Sequence, residues 1–134
     1  MKITSLRGKV AVITGAGSGF GREFARIAAA EGMALVLVDV QADALADTVA
    51  ELVGIDILHR TLDVTDGEAM ELLATDAFER FGAVHLLFNN AGVGSTGLLW
   101  EATTRDWEWV LGVNLWGTIH GVRAFVPRML SAAK

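Results

Sequence analysis

Eight residues, Thr14-Gly15-Ala16-Gly17-Ser18-Gly19-Phe20-Gly21, constrain the fold more than any other stretch of the chain. They join a short apolar run, Val10 to Ile13, to a segment of helical periodicity, and Gly15, Gly19 and Gly21 stand in the spacing G-x-x-x-G-x-G. Glycine in such a turn admits left-handed backbone and leaves no Cβ between the N–H groups and a phosphate. The helix that follows offers its positive end to the same anion. The loop does not fit the pattern G-x-G-x-x-G, because the sixth position is Phe20 counted from Gly15 and Arg22 counted from Gly17. It also lacks the Gly-Lys-Ser/Thr ending of a nucleoside-triphosphate loop, so no γ-phosphate chemistry is indicated. Taken alone, the glycines also fit a strand-to-helix packing turn with no ligand.

Strand and helix patterns alternate on either side of this loop. Phe20, Phe24, Ile27 and Ala28 form the expected inner stripe of a first helix, with Arg22, Glu23 and Arg26 outward and Gly32 as a left-handed stop. Ala34 to Val38 is a second apolar run that ends at Asp39, and Leu45, Val49 and Leu52 mark a second helix closing at Gly54. Ile55 to Leu62, which carries His59 and Arg60, reads as a strand near a sheet edge and ends at Asp63. Thr65-Asp66-Gly67-Glu68 matches a capping box that opens a third helix to about Phe81, with Leu73, Ala77 and Phe81 in step. Val84 to Phe88 is a fourth strand, emptying into the glycine-rich loop Asn89 to Gly97. Thr103 with Asp106 opens a long last helix, with Trp107, Val110, Asn114, Thr118, Phe125 and Met129 on one stripe and a kink expected at Pro127.

Continuous apolar runs suit strands covered on both faces, and the alternation implies parallel strands joined by right-handed helical crossovers. The expectation is one α/β domain over residues 1–134, a Rossmann-like doubly wound parallel sheet of strand order 3-2-1-4. That order brings the ends of strands one and four to the switch point where such sheets bind ligands. Both glycine loops fall there.

Composition narrows the partners. At 134 residues the chain is long enough to bury roughly 65–70% of its unfolded surface. No apolar run approaches the roughly 18 residues of a membrane span, and the charged opening, Met1 to Val10, does not read as a secretory signal. The absence of cysteine leaves no disulfide framework or thiolate metal site, so a reducing, cytoplasmic compartment is expected. A net charge of -5 gives no basic stripe for nucleic acid. His59, His85 and His120 lie on separate elements without ligand spacing, so no metal is expected. The apolar content of 52% is high for a free-standing domain, and Trp100, Trp107, Trp109 and Trp116 suit core or subunit-interface packing.

Asp39 stands 24 residues after Gly15 and 18 after Gly21. A carboxylate about 20 residues past the glycines accepts hydrogen bonds from adenosine ribose hydroxyls. It also repels a 2′-phosphate, by roughly 4 kcal/mol at about 4 Å and an effective dielectric near 20. This favours NAD over NADP. The same side chain also suits a helix N-cap, and the two roles are compatible.

Together, Thr14-Gly15-x-x-x-Gly19-x-Gly21, Asp39, Asp63-Val64, Asn89-Asn90-Ala91-Gly92 and Asn114 resemble the cofactor half of the classical short-chain dehydrogenase/reductase family. The resemblance covers essentially the whole chain. It implies NAD as cofactor, with Gly15, Ser18, Gly19, Phe20, Gly21 and Asp39 binding it, and with Asp63 and Val64 holding the adenine ring. Asn90, Ala91 and Gly92 would line the cofactor ribose and steady the central strand. Asn114 would join the catalytic set by holding a water in the proton relay. Read without the family, Asn114 is a polar residue on an apolar stripe, and a buried amide must find partners or cost roughly 1–3 kcal/mol.

The family's chemistry uses a tyrosine, a lysine four residues later and a serine a dozen or so residues earlier. This chain has no tyrosine, and its lysines are Lys2, Lys9 and Lys134, with Leu130 four places before the last. Ser131 lies in the tail of the last helix and not after a fifth strand, so the serine is not carried over. The resemblance therefore implies a binding half, truncated before strand five, of an oxidoreductase acting on an alcohol/carbonyl pair, inactive by itself. A non-catalytic dinucleotide-binding module or an inert scaffold is the alternative. An uncovered apolar fourth strand and the Trp107 to Met129 face predict self-association into a homo-oligomer.

Overall fold

In the computed structural model, which describes residues 2–133, strands β1 (Val10–Thr14) and β2 (Ala34–Asp39) form the buried centre of a sheet. Met1 and Lys134 lie outside the described residues. β3 (Ile57–Thr61) and β4 (Leu86–Phe88) flank them in the order β3-β2-β1-β4, all parallel. The register sets Val12 beside Val36 and Leu87, and Val36 beside Leu58. Helices α1 (Gly19–Ala30), α2 (Ala42–Glu51), α3 (Gly67–Phe81), α4 (Thr104–Leu111) and α5 (Gly117–Ala132) complete the expected doubly wound α/β architecture.

The two-residue period of the strands divides the core. Val10, Val12, Val36, Val38 and Leu58 pack with Met70, Leu73 and Ala77 of α3 and with Ala124 and Phe125 of α5. Ala11, Ile13, Leu35 and Leu37 face the other way, onto Ala25 and Ala28 of α1 and Leu45 of α2. Burial on both faces explains why β1 and β2 read as unbroken apolar runs; each fully buried Leu, Ile or Phe contributes about 1.5–3 kcal/mol. At the entry to β4, the Val10 N–H donates to His85 Nδ1 at 3.0 Å and the His85 N–H returns to Val10 O at 2.9 Å. Burial, with Lys9 nearby, holds the His85 pKa below its ordinary value.

Several details differ from the sequence expectation. The inner face of α1 is Gly21, Ala25 and Ala28, whereas Phe20 and Ile27 are 78% and 59% exposed. A Cβ on Gly21 would overlap Gly15 O, so the helix meets the glycine loop through its smallest residues. Phe24 stays half-buried, its ring 5.0 Å from that of Phe88. The cap of α3 is Asp66, which accepts from the Ala69 N–H at 3.1 Å, while the Thr65 hydroxyl turns back to Asp63 Oδ1 at 2.8 Å. The box at Thr103 and Asp106 forms as expected, with reciprocal bonds of 3.1 and 2.9 Å. β3 and β4 are shorter than their apolar patterns, as suits edge strands.

The last helix is not one rod. Residues Gly112–Trp116 form a π-helical segment between α4 and α5, while Pro127 sits inside α5 without ending it. Trp107 and Phe125 are 18 positions apart, five turns of a regular helix, yet Trp107 is 45% exposed and Phe125 fully buried. The extra residue of a π turn accounts for that loss of phase. None of the four tryptophans enters the core; Trp100, Trp109 and Trp116 are at least half exposed.

Candidate functional site

β1 and β4 diverge at Thr14 and Phe88, and a buried hydroxyl pins them together. Thr14 Oγ1 accepts from the N–H groups of Asn90 at 3.1 Å and Ala91 at 3.0 Å, and donates to Phe88 O at 3.4 Å. Asn90 Nδ2 donates to Thr14 O at 3.1 Å and Gly15 O at 3.3 Å. Gly15 has φ +68°, and a Cβ there would lie 2.9 Å from Ala91 Cα, so the two loops meet backbone to backbone. Gly19 has φ +53° with nothing within 4 Å of a built Cβ, which leaves open space over the first turn of α1.

Asp39 ends β2 at the same edge. Its Oδ2 accepts from the Gly17 N–H and its Oδ1 from the Gln41 N–H, both at 2.9 Å. The N-cap of α2 is Gln41, so Asp39 is not the helix cap that its position also suited. Each carboxylate oxygen keeps a lone pair for a further donor. Asp63 Oδ1 accepts from the Thr65 N–H at 2.9 Å as well as from its hydroxyl, and Val64 is buried, its carbonyl 2.9 Å from His120 Nδ1.

These residues border one cleft of about 440 Å³. Gly15, Ser18, Gly19, Phe20, Asp39, Asp63, Val64, Asn90, Ala91 and Gly92 all line it. Gly21 does not; it is buried against Gly15 O and Asn90 Nδ2. Asn114 does not line it either. It is exposed, and its amide grips Val93, accepting from the Val93 N–H and donating to Val93 O, each at 2.8 Å. Val93 itself lines the cleft, as do Gln41, Leu62, Trp109 and Val113, none of which the sequence motifs singled out. Trp109 precedes the π-helical segment and Val113 lies within it, a turn that no periodicity discloses.

The chemistry of this cleft follows from its donors. α1 carries no acidic residue in its first turn, and the Ser18 side chain does not cap it, so its positive end is uncompensated and favours an anion. The Asp39 carboxylate favours a hydroxyl donor beside that anion. A molecule bearing phosphate and a sugar diol fits both demands. Among the described residues no group of three or more His, Cys, Asp or Glu side chains is placed to hold a metal ion, and no helix is long and apolar enough to cross a membrane.

Comparison with known proteins gives a consistent picture. Residues 9–134 match the family model described as short chain dehydrogenase. A CLA biosynthesis dehydrogenase/reductase of Lactiplantibacillus plantarum is 40% identical over 124 residues, which are 91% of this chain and 43% of that protein. The crystal structure of a short chain dehydrogenase/reductase from Burkholderia phymatum in complex with NAD is 54% identical, with a TM-score of 0.94 over 98% of this chain and 48% of that one. L-Sorbose reductase from Gluconobacter frateurii, complexed with NADPH and L-sorbose, is 33% identical, with a TM-score of 0.88 over 95% and 49%. The chain thus spans about half the length of the proteins it matches.

Proposed function

From the premise that this chain belongs to the short-chain dehydrogenase family, we propose that it is the NAD-binding part of an oxidoreductase acting on an alcohol/carbonyl pair. The observation that carries the reading is the Asp39 carboxylate, oriented by two backbone N–H groups beside the uncompensated end of α1. Among structures similar to this chain, three are complexed with NAD, one with NADPH and one with NADP, so the fold alone does not choose between them. The Asp39 charge supplies the choice, since a 2′-phosphate there meets repulsion of roughly 4 kcal/mol at about 4 Å.

In this reading Gly15, Ser18, Gly19, Phe20 and Gly21 shape the pyrophosphate cradle, and Asp39 takes the adenosine ribose hydroxyls. Asp63 and Val64 border the adenine, while Asn90, Ala91 and Gly92 line the ribose towards the centre of the sheet. NAD when bound supplies the hydride acceptor or donor. The contribution of Asn114 is to hold the Val93 backbone at the cleft wall and, in the family's manner, a water for proton relay. The chain has no tyrosine, and a positioned acid/base is typically worth about 10²–10⁴ in rate, so residues 1–134 alone are expected to bind without turning over.

Titration by NADH fluorescence tests the proposal. Asp39→Ala should weaken NADH about tenfold or more while leaving NADPH unchanged or tighter. An unaltered NADH-to-NADPH ratio would refute the ribose role, and no binding by the wild-type chain would refute the function.

A further inference from the structure

The glycine loop is held by a side chain that belongs to none of its motifs. Thr48 of α2 is fully buried, and its hydroxyl lies 2.9 Å from Ala16 O, with its own-helix Ala44 O as a longer alternative at 3.3 Å. Ala16 is equally buried, and its N–H donates to Val38 O at 3.0 Å. The next N–H along, that of Gly17, donates to Asp39 Oδ2 at 2.9 Å. The Ala16 carbonyl and the Gly17 N–H belong to one planar peptide group. That peptide is therefore gripped at its oxygen by Thr48 and at its hydrogen by Asp39.

We infer that Thr48 is a positioning residue for the nucleotide site: by fixing the Ala16–Gly17 peptide it holds the Gly17 N–H against, and so sets, the Asp39 carboxylate. The two ends of the peptide point in opposite directions, so a rotation that frees the oxygen also carries the N–H away from Asp39. A carboxylate released from Gly17 keeps only the Gln41 N–H on its other oxygen. Thr48 thereby acts on a ligand it does not touch. Polar bonding also explains a threonine on the stripe that runs between Leu45 and Leu52, where a hydroxyl without an acceptor would be penalised.

This inference rests on the proposed NAD reading for its binding arm, and a second arm is independent of any ligand. The variants are Thr48→Val, which keeps the shape and loses the donor, Thr48→Ser, which keeps the donor, and Thr48→Ala should the valine protein not fold. Amide hydrogen exchange of Gly17, followed by NMR, should be at least about tenfold faster in the valine or alanine protein and close to wild type in the serine protein, relative to amides of β1. NADH should bind roughly 3- to 10-fold more weakly to the valine protein, the size of one net hydrogen bond, and normally to the serine protein. In an Asp39→Ala background the valine substitution should change NADH affinity by less than about twofold, because the relay is already cut. Unchanged Gly17 exchange overturns the inference, as does equal loss of affinity with and without Asp39, the signature of a merely structural threonine. A wild-type chain that binds no NADH refutes the function proposed above, and the exchange arm then decides the peptide clamp by itself.

Discussion

Asn90 donates twice to Thr14: its N–H to Thr14 Oγ1 at 3.1 Å, and its Nδ2 to Thr14 O at 3.1 Å. The pair closes the gap where β1 and β4 part. Replacing Thr14 with valine keeps the shape but strands the N–H groups of Asn90 and Ala91, and should cost about 1–3 kcal/mol in urea unfolding. Thr14→Ser should recover most of that loss. A valine protein as stable as wild type would show that the hydroxyl is dispensable to the junction.

Gly21 and Gly94 provide a matched pair of alanine substitutions. A Cβ at Gly21 would overlap Gly15 O and lie 2.6 Å from Asn90 Nδ2, whereas one at Gly94 meets nothing within 4 Å. Overpacking of this kind costs about 1–3 kcal/mol, so Gly21→Ala should lower stability by that amount and abolish NADH binding. Gly94→Ala should leave thermal stability within about 0.5 kcal/mol of wild type. Equal behaviour of the two variants would contradict the close approach of α1 to the loop.

His85 should make stability depend on pH. Its Nδ1 accepts from the Val10 N–H, so the folded protein requires an unprotonated Nδ1, and burial lowers its pKa. The unfolded chain takes up the proton first as pH falls. The stabilisation is therefore complete above about pH 6.5 and declines as pH drops from there through the lowered folded value. His85→Asn should flatten the urea midpoint against pH between about 5 and 7; a slope equal to wild type would locate the titration elsewhere.

Self-association is expected from two uncovered surfaces, the half-buried edge strand β4 and the exposed tryptophans Trp107 and Trp116 of the last helical segments. Sedimentation at micromolar concentration should give a species larger than a monomer. Leu87→Lys and Trp116→Glu identify which surface carries it. A monomeric wild-type chain would rule out both.

Much of the fold was legible because burial on both faces writes itself into β1 and β2 as unbroken apolar runs, and because glycine at Gly15, Gly19 and Gly32 answers a positive φ. The cleft was legible where a motif residue reaches it directly, as Asp39 and Asn90 do. Thr48 is not legible in the sequence because its value lies in a hydroxyl aimed at a carbonyl 32 positions away, which no local pattern encodes. Hydrophobicity alone points Phe20 and Ile27 of α1 inward. Steric demand at Gly21 decided the face instead.

The extra residue in the turn at Gly112–Trp116 makes chain length, and not only side-chain chemistry, a determinant of the cleft. A regular helix advances about 100° per residue, so deleting one position there would swing α4 by that angle against α5. Trp109 would leave the cleft wall and Asn114 would lose Val93, although no residue in either contact had been substituted. Grafts or alignments that cross this turn must therefore preserve the residue count before they preserve the residues.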